Sequence, residues 1–205
     1  MEKYLITQSL LSAWGYMFDC PEGYEDDAKA EFLLALDRQK KEPTPAMLNG
    51  LAFEDQVYAQ AHGLPREPHE QWEHGIRKVA SIIGAAPVQV KAKREIEVCG
   101  MTFLVYGILD ALQAGVIYDV KFRNKSLGSD DIYGKYLGSP QHPAYFYIVP
   151  EATEFRYLVS DGEDVYPEVY TRENTRFIGD FIKEFIDSLT GMGLLERYKQ
   201  HWVAL

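Results

Sequence analysis

The chain has 205 residues, 46% hydrophobic and 25% charged, with a formal net charge of −10. That length can bury a substantial core without disulfides or a structural metal, and that composition excludes disorder. The acidic balance weighs against a passive nucleic-acid-binding module, but less against an enzyme whose clustered carboxylates gather cations.

No apolar run approaches the length of a membrane span, and Met1-Glu2-Lys3-Tyr4 lacks the basic-then-apolar start of a signal peptide. Cys20 and Cys99 form no CxxC pair. They read as buried thiols of a reducing cytosol. The expectation is one cytoplasmic domain over 1–205 with no membrane contact.

The first half reads as helices. From Thr7 to Phe18, Leu10, Leu11, Trp14 and Phe18 recur at helical spacing, with Thr7 or Ser9 as a cap. Asp26 to Arg38 repeats the pattern through Phe32, Leu33 and Leu36. Pro43 and Pro45 break the chain, and Thr44 can cap a helix running to about His62. Gly63, Pro65 and Pro68 end it, and His69 to Ile83 is a further amphipathic stretch.

The period then changes. Val88 to Lys93 alternates apolar and polar residues, as a half-exposed strand does. Met101 to Leu112 is a nearly continuous apolar run that reads as a buried strand, and Val116 to Phe122 returns antiparallel to it. After a polar loop (Asn124 to Asp131), Gln141 to Val149 reads as a short helix with Pro143 in its first turn. Glu154 to Ser160 and Asp164 to Tyr170 form a hairpin around Asp161-Gly162. Asn174 to Leu189 is the clearest helix, with Phe177, Ile178, Phe181, Ile182, Phe185 and Ile186 on one side. One mixed α/β domain fits this order.

The chemistry concentrates on Val116 to Phe122. Alternation puts Val116, Tyr118, Val120 and Phe122 on one face and Ile117, Asp119 and Lys121 on the other. A carboxylate and an ammonium in a segment suited to burial must pair or serve a ligand, because burying either alone costs several kcal/mol. If the preceding turn holds Gln113 and Ala114, Asp110 faces Ile117 and is the diagonal neighbour of Asp119, roughly 7–8 Å away between backbones. That spacing lets both carboxylates reach one cation. An odd-membered loop would send Asp110 to the opposite face, so a metal site requires an even loop or a bulge. A plain Asp119–Lys121 salt bridge is the other reading of the same residues.

Glu54 lies on a helical face with Met47, Gly50, Val57 and Ala61, which is otherwise apolar. A glutamate there needs a compensating partner, either a metal or an arginine, unless it lies at an exposed edge. Gly50, one turn earlier, would let the helix approach the sheet closely. Gln141 and Tyr145, four residues apart, share a helix face, where they either meet a phosphate or make ordinary surface hydrogen bonds. The five histidines show no HxH or HExxH spacing, and neither a Walker-type loop nor a GxSxG elbow is present.

The ordered set of Gly50-x-x-x-Glu54, Gly107-Ile108-Leu109-Asp110, Asp119-Val120-Lys121 and Gln141-x-x-x-Tyr145 resembles the PD-(D/E)XK nuclease superfamily. Within it, the trailing QxxxY element points to the RecB-like and phage exonuclease branch. The match covers roughly residues 46 to 149, and Leu109 stands where the name-giving proline would be. The resemblance implies a restriction-endonuclease-like α/β core with a central mixed β-sheet flanked by helices. It makes Glu54, Asp110, Asp119 and the Val120 backbone carbonyl ligands of Mg²⁺, with Mn²⁺ able to substitute. Lys121 becomes the catalytic lysine, and Gln141 and Tyr145 support the site or the DNA strand. Two cysteines cannot hold the iron–sulfur cluster of some relatives.

The expected activity is a metal-dependent deoxyribonuclease acting on linear duplex or single-stranded DNA ends, probing phosphate through Arg123 and Lys125 and, flanking the site in sequence, Lys91, Lys93, Arg94 and Lys135. Lys91 and Lys93 read better as solvated surface. A homo-oligomer and a single-strand annealing partner are implied by resemblance alone. A catalytically silent DNA-associated or assembly protein and a structure-specific endonuclease are the alternatives.

Overall fold

The structure is a computed structural model that describes residues 2–128 and 132–204. The end of the loop expected over Asn124 to Asp131 lies outside the described residues. In chain order the elements are β1 (Lys3–Thr7), α1 (Gln8–Asp19), α2 (Glu25–Leu36), α3 (Pro45–Ala61), α4 (Glu73–Ile83), β2 (Val88–Val98), β3 (Met101–Gln113), β4 (Val116–Phe122), α5 (Gln141–Ile148), β5 (Glu154–Ser160), β6 (Val165–Thr171), α6 (Ile178–Gly191) and α7 (Leu195–His201).

Local chemistry accounts for most boundaries. The Thr7 hydroxyl accepts from the Leu10 backbone N–H and Thr44 from that of Met47, so both helices start where a side chain satisfies an end donor. Pro45 supplies the first residue of α3, where its missing N–H costs nothing. The Arg66 guanidinium pairs with Glu73 and holds that carboxyl at about 2, tying the proline-rich loop to the start of α4. α6 begins at Ile178 rather than Asn174. Asn174 instead accepts from the Thr171 N–H, closing a turn, and Phe177 is left exposed.

β1 and α7 were not legible in the sequence. β1 pairs in parallel with β3 (Lys3↔Thr102 to Thr7↔Tyr106), and the Tyr198 hydroxyl of α7 donates to the Leu5 carbonyl of β1. Each is too short to show a period and is specified by the core it covers.

The sheet is mixed. β2 runs antiparallel along β3, β1 and β4 share the other edge of β3, and β5 lies parallel to β4 with β6 antiparallel outside it. One face of the sheet, with Ile6, Phe103, Val105, Leu109, Ile117, Phe155 and Tyr157, packs against α1, α2, α5, α6 and α7. The other, with Ala111, Tyr118, Val120 and Leu158, packs against α3 and α4. α3 buries Phe53 and Val57 on that second face, and the Phe53 ring stacks on Phe122 at 4.8 Å. Met47, expected on the buried face of α3, is exposed, and the burial of that helix begins at Phe53.

Two further expectations change. The space around Gly50 is open, so it permits no close approach. The close approach is at Gly107, where an added Cβ would lie 2.4 Å from Cε1 of Tyr145. Cys20 and Cys99 are both unbridged, but neither is buried as expected: Cys20 is half-buried, and Cys99 is exposed in the tight turn between β2 and β3.

Candidate functional site

The site sits where the sheet opens. β1 stops at Thr7↔Tyr106 and β4 joins β3 only over Ala111↔Tyr118, Leu112↔Ile117 and Gln113↔Val116. Between them, Gly107 to Leu109 are paired only with β2. The turn joining β3 to β4 holds Ala114 and Gly115, both at positive φ (49° and 81°), as the tight hairpin turn requires. It is thus even-membered, but one residue later than the sequence suggested. Continuing the register sets Asp110 opposite Asp119 rather than Ile117.

The strands have parted by that point, and side chains take over their backbone groups. Asp110 Oδ2 accepts from the Val120 N–H at 3.0 Å. The Tyr145 hydroxyl donates to the Ile108 carbonyl at 2.8 Å, which requires the ring to lie directly on Gly107. The glycine is needed there because any side chain would occupy the place of that ring.

Asp119 is buried on β4, beside Tyr157 of β5. Its Oδ2 lies 2.5 Å from Lys121 Nζ and its Oδ1 accepts from the Gln141 side-chain amide at 2.5 Å. Oδ2 receives no hydrogen bond of ordinary geometry beyond that ion pair. Lys121 keeps a third of its side chain exposed (33%), with Nζ 5.9 Å from the centre of the Tyr157 ring. Burial pulls its ammonium down, yet the charges of Asp119 and Asp110 outweigh that and hold it above its ordinary value, so it is protonated at neutral pH.

Asp110 is raised well above the usual carboxylate range, first by burial and then by the charges of Asp119 and Glu54. Glu54, half-buried on α3, is also raised, chiefly by burial, against the opposing Tyr58 hydroxyl and with a contribution from Asp119. Its Oε1 accepts from the Gln89 side chain at 3.1 Å. α3 and α5 cover opposite faces of the sheet, so Glu54 and Gln141 can address one set of carboxylates only because β3 and β4 separate here.

The three carboxylates, Glu54, Asp110 and Asp119, offer oxygen donors of the kind a hard divalent cation takes. Two buried oxygens without a well-formed hydrogen bond, Asp119 Oδ2 and the Tyr58 hydroxyl, border it. The residues therefore fit such an ion by chemistry. As the side chains stand, however, no group of three or more His, Cys, Asp or Glu among the described residues is placed to hold a metal. Asp119 is engaged by Lys121 and Gln141, and Asp110 by the Val120 N–H.

Of the cationic residues, Arg123 is half-buried just beyond β4, its backbone N–H donating to Ser160, and Lys125 is exposed. Lys91, Lys93, Arg94 and Lys135 are exposed, and Arg94 donates to the Tyr147 carbonyl. Reading the sequence missed Gln89, Tyr58 and Tyr157. Tyr58 was findable, since it lies four residues after Glu54 on one helix. Tyr157 depends on the β4–β5 register, and nothing local announces Gln89. His142, one residue past Gln141, is buried and stacked on Tyr170 at 4.0 Å, and burial lowers it to about 4. It is a neutral core residue.

No protein-family model matches the chain, and no curated protein matches it. Among solved structures it is similar to that of SSO0001, at 13% identity and a TM-score of 0.54, over 93% of this chain and 77% of that one. That is a likeness of fold. Two weaker alignments are to LHK-Exo in complex with dAMP (13% identity, TM-score 0.42, 91% and 90% of the two chains) and to Scheffersomyces stipitis Rai1 (12%, 0.41, 92% and 61%). Both fall below the level at which a shared fold is argued.

Proposed function

We propose that this protein is a Mg²⁺-dependent DNA nuclease, of exonuclease type, whose active site is the opening between β3 and β4. The observation that carries the reading is the gathering of Glu54, Asp110, Asp119, Lys121 and Gln141, from four separate elements, where β3 and β4 lose their pairing. Asp110, Asp119 and Glu54, with the Val120 carbonyl, would hold the ion, and Mn²⁺ would replace it. A divalent cation bound there supplies positive charge for the scissile phosphate and acidity for the attacking water.

The chain's own groups do the rest. Lys121, held protonated by its acidic neighbours, donates to the attacking water or to a phosphate oxygen as negative charge grows there. Gln141 fixes the Asp119 carboxylate, and Tyr145 fixes the free edge of β3. Arg123 and Lys125 lie beyond the C-terminal end of β4, where phosphates of the strand would pass.

The test is Mg²⁺-dependent release of nucleotides from linear duplex DNA. Lys121→Ala and Asp119→Ala should each lower the rate by about 100-fold or more while the fold is kept. Wild-type rates in either variant defeat the proposal. Covalently closed DNA separates an endonuclease from an exonuclease.

One observation favours a second reading, a catalytically silent DNA-associated protein: the carboxylates do not converge on a common point as they stand. Calorimetric titration with Mn²⁺ decides, since that protein would bind the ion no better than its Asp119→Ala variant.

A further inference from the structure

Gln89 has a backbone conformation that a strand residue rarely adopts. Its φ is +53°, inside β2, between the pairs Val88↔Ala111 and Val90↔Leu109. A non-glycine residue held there is strained, and such strain persists where the surroundings impose it. Its consequence can be followed in the packing. Val88 and Val90 should share a face by alternation, yet Val88 packs with the α3/α4 core and Val90 with the opposite one. Leu109 and Ala111 on β3 divide in the same way. The two strands change faces together at Gln89 and Asp110, the residue that the register sets opposite it.

The reversed backbone accompanies a specific contact: the Gln89 side-chain amide donates to Glu54 Oε1 at 3.1 Å. An amide is suited to that task. It orients a carboxylate without cancelling its charge, and leaves the remaining lone pairs for a cation, whereas a lysine or arginine would compete with the ion. The contact is exposed, so it adds little to folding stability.

We propose that Gln89 is a positioning residue, which turns the Glu54 carboxylate of α3 toward Asp110 across the opening in the sheet and thereby sets the affinity of the site for its divalent ion. This rests on the metal-site reading above. Groups that orient metal ligands typically change affinity by about 10–100-fold.

Gln89→Gly separates the side chain from the backbone, because glycine adopts the same φ without strain. Calorimetric titration with Mn²⁺, without DNA, should show its dissociation constant raised by about 10-fold or more, with an unchanged or higher melting temperature. Gln89→Asn, which tolerates the conformation but is one methylene too short, should bind as weakly. In the nuclease assay both should need more Mg²⁺ for half-maximal rate and approach the wild-type rate when it is saturating. Wild-type Mn²⁺ affinity in Gln89→Gly, alongside weakened binding in Glu54→Gln, overturns this inference and leaves the metal site standing. No Mn²⁺ binding by the wild-type chain, or none lost in Glu54→Gln, removes Glu54 from the site and the inference with it.

Discussion

Between Thr102 and Tyr106, β3 is hydrogen-bonded on both edges, to β1 and to β2, whereas from Gly107 to Leu109 it has β2 alone. The doubly paired stretch carries Phe103 and Val105, fully buried, and no charged side chain. The singly paired stretch leads to Asp110 and is finished by side chains: Tyr145 takes the Ile108 carbonyl and Asp110 takes the Val120 N–H. The same strand is therefore scaffold at one end and site at the other. A backbone group that the ladder does not use must find another partner, and the polar side chains recruited for that purpose are also the ones placed to act on a ligand.

The comparison can be pressed hardest at Phe103. Truncating it to alanine removes a fully buried ring from the paired half and should cost about 3–5 kcal/mol in denaturant unfolding. The proposed nuclease activity, per folded molecule, should stay within a few-fold of wild type. A large loss of activity in the folded fraction would erase the division between scaffold and site.

Gly107→Ala attacks the boundary itself. The new methyl would lie 2.4 Å from the Tyr145 ring and 3.1 Å from Ile148, so α5 must shift. The expected cost is about 1–3 kcal/mol, with activity reduced more than stability alone accounts for. If the variant melts and cleaves like wild type, the ring does not depend on that glycine.

The smallest effect belongs to Tyr145→Phe, which deletes only the hydroxyl that serves Ile108. Ile108 is partly exposed, so water can reach its carbonyl, and about 0.5–1.5 kcal/mol is expected. Faster hydrogen exchange confined to residues 107–110 would sharpen the comparison, while uniform exchange along β3 would count against it.

Much of the site was legible because it is local. Alternation along β4 correctly set Asp119 and Lys121 apart from Tyr118 and Val120, since the side-chain period of a strand is fixed at two. The even turn that keeps Asp110 on their side was likewise required and found, though one residue later, because Ala114 adopts a positive φ, which alanine rarely does. Gly50 misled because a glycine in a helix marks close approach only when a neighbouring element is present, and nothing lies within 4 Å of the place its Cβ would take.

What the amino-acid sequence determined by itself was periodicity and punctuation: the caps at Thr7 and Thr44, the α/β succession, and the faces of β4. These depend on residues within a turn or two of each other. Tertiary structure alone decided that β1 would be a strand, that Gly107 rather than Gly50 would meet a helix, and that Gln89 would reverse its backbone to reach Glu54, 35 residues away. Those outcomes follow from which edges of β3 are left unpaired, and pairing between distant segments is set by the packing of the whole core rather than by any local pattern.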